Sequence, residues 1–144
     1  MNQILQWLTG GDLRSDGLSN QVVSVVLQQP HLFEDLMEGL DSREDIIRGR
    51  TADALEKIAR TRPDLLQEHI QRLVALARAE HVPMVKMHLA MIFGHLSIYK
   101  EHADDLVSTL FALLADASVF TVSWVIVSLC ILARKYPEKN DQIL

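Results

Sequence analysis

His81, His88, His95 and His102 recur every seven residues. Imidazoles bind metals and carry protons, so this spacing raises a metal site as the first chemical reading. Helix geometry argues against it. Seven residues rise about 10.5 Å along one helix, while a zinc ion holds nitrogen ligands at about 2.1 Å. His88 and His95 therefore cannot share an ion, and His81 and His102 fall in or beside turns. Cys130 is the only cysteine, which rules out a disulfide framework and a thiolate cluster. It sits among Leu129, Ile131 and Leu132, with no neighbouring base to favour a thiolate, and reads as a small core residue. The carboxylates Glu34, Asp35 and Glu38, and Asp104 and Asp105, read as solvated helix faces rather than acid–base pairs. There is no His-Glu-x-x-His, no phosphate-cradling glycine loop and no nucleophile elbow. We expect no catalytic residue, no metal and no cofactor.

Composition agrees with a binding role. With 144 residues, 49% of them hydrophobic, the chain can build one packed core. The formal net charge of −5 disfavours nucleic acid, whose phosphates call for a basic face. The best local basic signal is Arg43, Arg48, Arg50, Lys57, Arg60 and Arg62, but Glu44, Asp45, Asp53 and Glu56 lie in the same stretch. Asp53–Lys57 and Glu56–Arg60 are four apart with the acid first, the arrangement of ordinary helix-surface pairs. The start, Met1-Asn2-Gln3-Ile4, lacks the basic region of a secretory signal. Residues 119–133 are strongly apolar but fall short of the roughly 20 residues a spanning helix needs. We expect a cytoplasmic location and no membrane segment.

The elements that must position these residues are helices. The patterning predicts a short helix over 3–8, a turn-rich link over 12–17, and helices over 18–27 and 30–40. Ser42-Arg43-Glu44-Asp45 has capping-box spacing and opens a helix that ends near Thr61. Pro63 and Pro83 open the next two helices, since a proline at the first turn forfeits no needed hydrogen bond. Helices over 102–115 and 119–136 follow, then a stub over 138–144. That stub leaves a helix barely begun, so either a longer protein was shortened or an array ends there. No stretch alternates with period two, so no strand is expected.

Two of these helices carry one pattern. Ile47-Arg48, Thr51-Ala52, Ala54-Leu55 and Ile58 are matched by Val85-Lys86, Leu89-Ala90, Phe93-Gly94 and Leu96. Aligning Val26, Ile58, Leu96 and Leu132 gives periods of 32, 38 and 36, the range of stacked helix pairs. Acidic residues precede the pattern at Asp41, Glu80 and Asp116. These residues resemble the HEAT repeat family. The resemblance implies an all-α, right-handed α–α superhelix of about four helix pairs forming a single domain. The units would be 1–29, 30–62, 63–101 and 102–137, with the stub at 138–144. It also implies a scaffold or adaptor that binds a protein partner through its concave inner helices. A minority of the family resemble DNA-repair glycosylases or phycobilin-lyase subunits, and no residue here carries either activity. The pattern fails at Thr121-Val122, where the basic residue of the usual side-chain ladder is missing.

With the pattern positions buried, the gaps should face outward. The second inner helix would show Arg50, Asp53, Lys57 and Arg60, the third His88, Met91 and His95, and the fourth Trp124, Val127 and Ile131. The expected partner site is Arg50, Lys57, Met91, His95, Trp124, Val127 and Ile131. A competing expectation, slightly favoured, is that the fourth helix is apolar all round because the stub or a continuation buries it. Self-association into a homodimer through that helix is a third. The rival function from another class is nucleic-acid binding, and an accessory subunit of an enzyme complex stands behind it.

Overall fold

The structure, a computed structural model, describes residues 1–9, 18–116 and 118–143. The expected link over 12–17, with Gly10, Gly11 and Gly17, lies outside the described residues, as do Ala117 and Leu144. The fold is all-α, and no described residue lies in a strand. Contacts divide the chain into two compact units, Met1–Leu65 and Leu66–Leu144.

The first unit begins with α1 (Gln3–Gln6), capped by the Asn2 side chain, which accepts from Leu5 N at 2.9 Å. The Asn2 amide also donates to Asp35 O at 3.0 Å, tying α1 to the helix that follows α2 (Ser19–Gln28). Residues expected as one helix over 30–40 form three pieces. Pro30–Leu32 and Glu38–Asp41 are 3-10 turns, and α3 (Phe33–Met37) lies between them. The last helix of the unit is α4 (Asp45–Thr61). Its capping box does not form. Ser42 Oγ instead accepts from Glu44 N at 3.1 Å, and Asp45 is taken by Arg48 at 2.6 Å. The unit closes over Leu8, Val22, Val26, Leu36, Met37, Ile47, Leu55 and Ile58. Gly39 lets α4 approach closely, since a Cβ there would lie 2.0 Å from Thr51 Oγ1.

A short α5 (Asp64–Gln67) straddles the division between units. The expected continuous helix from Pro63 breaks at Glu68 and His69 and resumes as α6 (Ile70–Ala79). No proline or glycine marks that break. Pro83 opens α7 (Pro83–His95) as expected, and Leu96–Ile98 extends it as a 3-10 turn. Then come α8 (Ala103–Leu113), α9 (Val119–Lys135) and the short α10 (Asn140–Ile143).

Side-chain bonds give the second unit its register. On one side Gln71 donates to Asp105 at 2.9 Å and Arg78 to Ser108 at 3.0 Å, so α6 and α8 run parallel. On the other side Thr121 Oγ1 donates to Pro83 O at 3.2 Å, and Ser128 Oγ to Ala90 O at 2.6 Å. Tyr136 completes the series by donating to Ser97 O at 2.6 Å. Donor and acceptor stand 38, 38 and 39 residues apart, so α9 lies parallel to α7 along its whole length. Two antiparallel helix pairs are thus stacked in register.

That register depends on small residues. Ala90 and Gly94 face α9, and a Cβ on Gly94 would come 2.7 Å from Ser128 Oγ and 3.3 Å from Ile131 Cδ1. Gly94→Ala should displace the Ser128 hydroxyl from Ala90 O and push the helices apart, destabilising the chain by about 1–3 kcal/mol. Urea unfolding of Gly94→Ala checks this, and an unchanged midpoint would show that the contact yields without strain.

Candidate functional site

The residue set expected to meet a partner separates into two groups. Arg50 is 3% exposed and its Nη1 donates to Leu8 O at 2.9 Å. This corrects its expected outward placement. A guanidinium holds a buried carbonyl well, because five donors can be satisfied at once. Lys57 is half-buried and donates to Asp53 at 2.9 Å and Asn20 at 2.8 Å. Arg60 is exposed, but its guanidinium grips Glu56 at 2.5 and 2.6 Å, and that hydrogen bond raises its already high pKa. The two i,i+4 pairs read from the sequence are present, and Glu56 itself is 1% exposed.

In the second unit Met91 and His95 are half-buried on α7. His88 is also half-buried, with Nδ1 2.8 Å from Met84 O, and His81 is exposed in the loop before α7. Trp124, Val127 and Ile131 on α9 are exposed, so among the described residues the C-terminal stub does not cover this helix all round. Cys130 is exposed too, which corrects its placement in the core. The reason is the orientation of α9. Thr121, Val125, Ser128, Leu129, Leu132 and Ala133 turn toward α7 and α8, leaving the opposite half of the helix to solvent.

From Val119 to Ile131 that half is apolar except at Ser123. Exposure is 75% at Val119, 73% at Phe120, 51% at Ile126, 43% at Val127, 39% at Ile131 and 37% at Trp124. At roughly 150–250 Å² for a whole large side chain, this is about 500–600 Å² of apolar surface. Soluble monomers rarely show a patch above the upper end of that range, and patches of such size are often interaction sites. Val119, Phe120 and Ile126 were not in the expected set. A stripe spaced i, i+3, i+7 selects one narrow line, whereas the exposed arc of α9 is about half the helix wide.

A second feature sits at the turn that leads into α9. Lys86, in the first turn of α7, forms an ion pair with Asp116 in the turn before α9. Asp116 also accepts from Ser118 N at 3.0 Å, and its side chain is only 8% exposed. The Lys86 hydrogen bond is the largest influence holding the Asp116 carboxyl below its usual pKa. Glu80 occupies the equivalent turn before α7 and accepts from His81 N and Val82 N, both at 3.1 Å. A cavity of about 330 Å³ lies between them, lined by Arg78, Glu80, Lys86, Leu113 and Asp116. Its charged groups are engaged in holding turns and neighbouring helices. That arrangement serves the backbone rather than a ligand.

The described residues define an all-α protein in which α9 exposes an apolar face. No family model, curated protein or solved structure matches this chain.

The Asp116 contact has a defined pH signature. Its folded pKa is depressed, so its stabilisation is present above about pH 4, where an unfolded Asp ionises, and is lost as pH falls through the lower folded value. Asp116→Asn should therefore cost about 2 kcal/mol at pH 7 and progressively less below pH 4. Urea midpoints of both proteins at pH 7 and pH 3 measure this, and an equal gap at the two pH values would exclude the charged pair as the cause.

Proposed function

We propose that the chain is a non-catalytic protein-interaction module, built as a HEAT-like array of helix pairs, that binds a partner through the apolar face of α9. The observation that carries this reading is the set of exposed apolar side chains on α9, Val119, Phe120, Trp124, Ile126, Val127 and Ile131. Such a face is costly to leave in water and useful only when covered. Trp124 and Phe120 fit the anchor role, since aromatic side chains dominate the energetics of interfaces. Met91 and His95 on the parallel helix α7 would border the Trp124 edge.

Support for repeat architecture comes from the second unit. Buried Val85, Leu89, Ile92, Phe93 and Leu96 recur as Thr121, Val125, Ser128, Leu129 and Leu132 at a constant period of 36. Lys86–Asp116 is the kind of pair a HEAT ladder makes between one unit and the next. A right-handed superhelix of about four units, acting as an adaptor in the cytoplasm, extends this reading to the whole chain. Nucleic-acid binding draws no comparable support. Arg50 is buried, and Lys57 and Arg60 are both paired with carboxylates.

The double variant Trp124→Glu, Val127→Asp tests the proposal. Both side chains are more than a third exposed, so the melting temperature should move by only a few degrees. Proteins retained from the source cell by the immobilised wild type should be lost by at least tenfold. Collapse of the fold would show that the α9 face belongs to the core. Unchanged retention would remove α9 as the binding surface.

A further inference from the structure

One side of α7 is built from two residue types only. At 100° per residue, Met84, Met87, His88, Met91 and His95 fall within one arc of about 100° around the helix. Every other residue of α7 falls outside that arc. Three of the five methionines in the chain are here, so the enrichment is local. All five side chains are half-buried. The core-facing positions of α7 belong instead to Val85, Leu89, Ile92 and Phe93, each at most 1% exposed. The thioethers are therefore not the filling of the core. They line a partly sheltered stripe beside the small residues Ala90 and Gly94 that receive α9.

Side chains three and four apart on a helix are neighbours. Met87 and Met91 are four apart and His88 and Met91 three apart, so the three residues share little more than one turn. Thioether sulfur is a soft, polarisable ligand that favours Cu(I) over hard cations. The objection to zinc was that His88 and His95 cannot both reach one ion, and a set with one imidazole and two thioethers avoids it. His88 Nδ1 lies 2.8 Å from Met84 O. A carbonyl oxygen only accepts, so Nδ1 carries the proton and Nε2 of the neutral ring holds the lone pair. Metal-ligating histidines are oriented in the same way, by donating the second ring nitrogen to a backbone carbonyl. Charge then selects the ion. The arc contains no carboxylate, and a half-buried set of neutral ligands holds one uncompensated charge at much lower cost than two.

We propose that α7 carries a site for a soft monovalent cation, Cu(I), held by His88 Nε2 and the Sδ atoms of Met87 and Met91. Binding transfers no electron and releases no proton, because all three ligands are neutral beforehand. His95 stands four residues beyond Met91, on the side away from His88, and is the competing nitrogen that the experiment separates. The site lies on α7 alone and is independent of the apolar face of α9.

Ag(I) is the probe, since it has the same charge and ligand preference as Cu(I) and keeps its oxidation state in air. Cys130 is exposed and its thiol would compete, so every measurement is made in the Cys130→Ser chain. Calorimetry should give one equivalent of bound Ag(I). His88→Gln and Met91→Leu, close in volume to the native side chains, should each weaken binding at least tenfold and leave the metal-free melting temperature nearly unchanged. His95→Gln should leave the affinity within about threefold. In the unsubstituted stripe, Ag(I) should move the His88 Nε2 resonance and the methyl resonances of Met87 and Met91, and leave that of fully buried Met37 in place. Those resonances decide the matter even where His88→Gln lowers stability. Absence of one-equivalent binding overturns the site, as does equal weakening by His95→Gln. Displacement of Ag(I) by equimolar Zn(II) overturns the thioether ligands. None of these results bears on partner retention by the Trp124→Glu, Val127→Asp protein, so the two proposals fail separately.

Discussion

The second unit depends on how closely α9 can approach α7. Gly94 and Ala90 remove side-chain bulk along one line of α7, and Ser128 fills the space with a hydroxyl that donates to Ala90 O at 2.6 Å. A buried hydroxyl needs such a partner, because an unmade bond there costs more than the bond itself returns. Thr121 and Tyr136 make the same type of bond at the two ends. Burial raises the Tyr136 phenol above its ordinary pKa, so it stays a neutral donor across the working pH range. Three bonds with nearly equal offset leave α9 no freedom to slide. Once α9 is set, the direction of its remaining half is set as well.

Polar residues perform the corresponding work at the turns. Glu80 accepts backbone N–H groups at the entry to α7 and Asp116 one at the entry to α9, and Asp116 adds the Lys86 pair. In the first unit Asn2 caps α1 while reaching α3, and Arg50 satisfies a carbonyl of the chain after α1. Each of these side chains looks like surface in a sequence because it is polar. In the structure each makes a hydrogen bond to a backbone group.

This explains what the sequence made legible. The positions of α2, α4, α7, α8 and α9 follow from apolar periodicity and from prolines that sit at helix starts, all of them local signals. Exposure of Trp124, Val127 and Ile131 was also within reach, since they occupy gaps in the buried pattern. Arg50 was not, because its partner carbonyl is 42 residues away and no local rule distinguishes it from Arg60. The break of the helix after α5 at Glu68, and the three-piece path over 30–41, carry no glycine or proline that would announce them at their interior joints, apart from the accommodated Gly39. The failed capping box has a plain competitive reason. Arg48 offers Asp45 a charge-assisted bond, stronger than a return to the backbone.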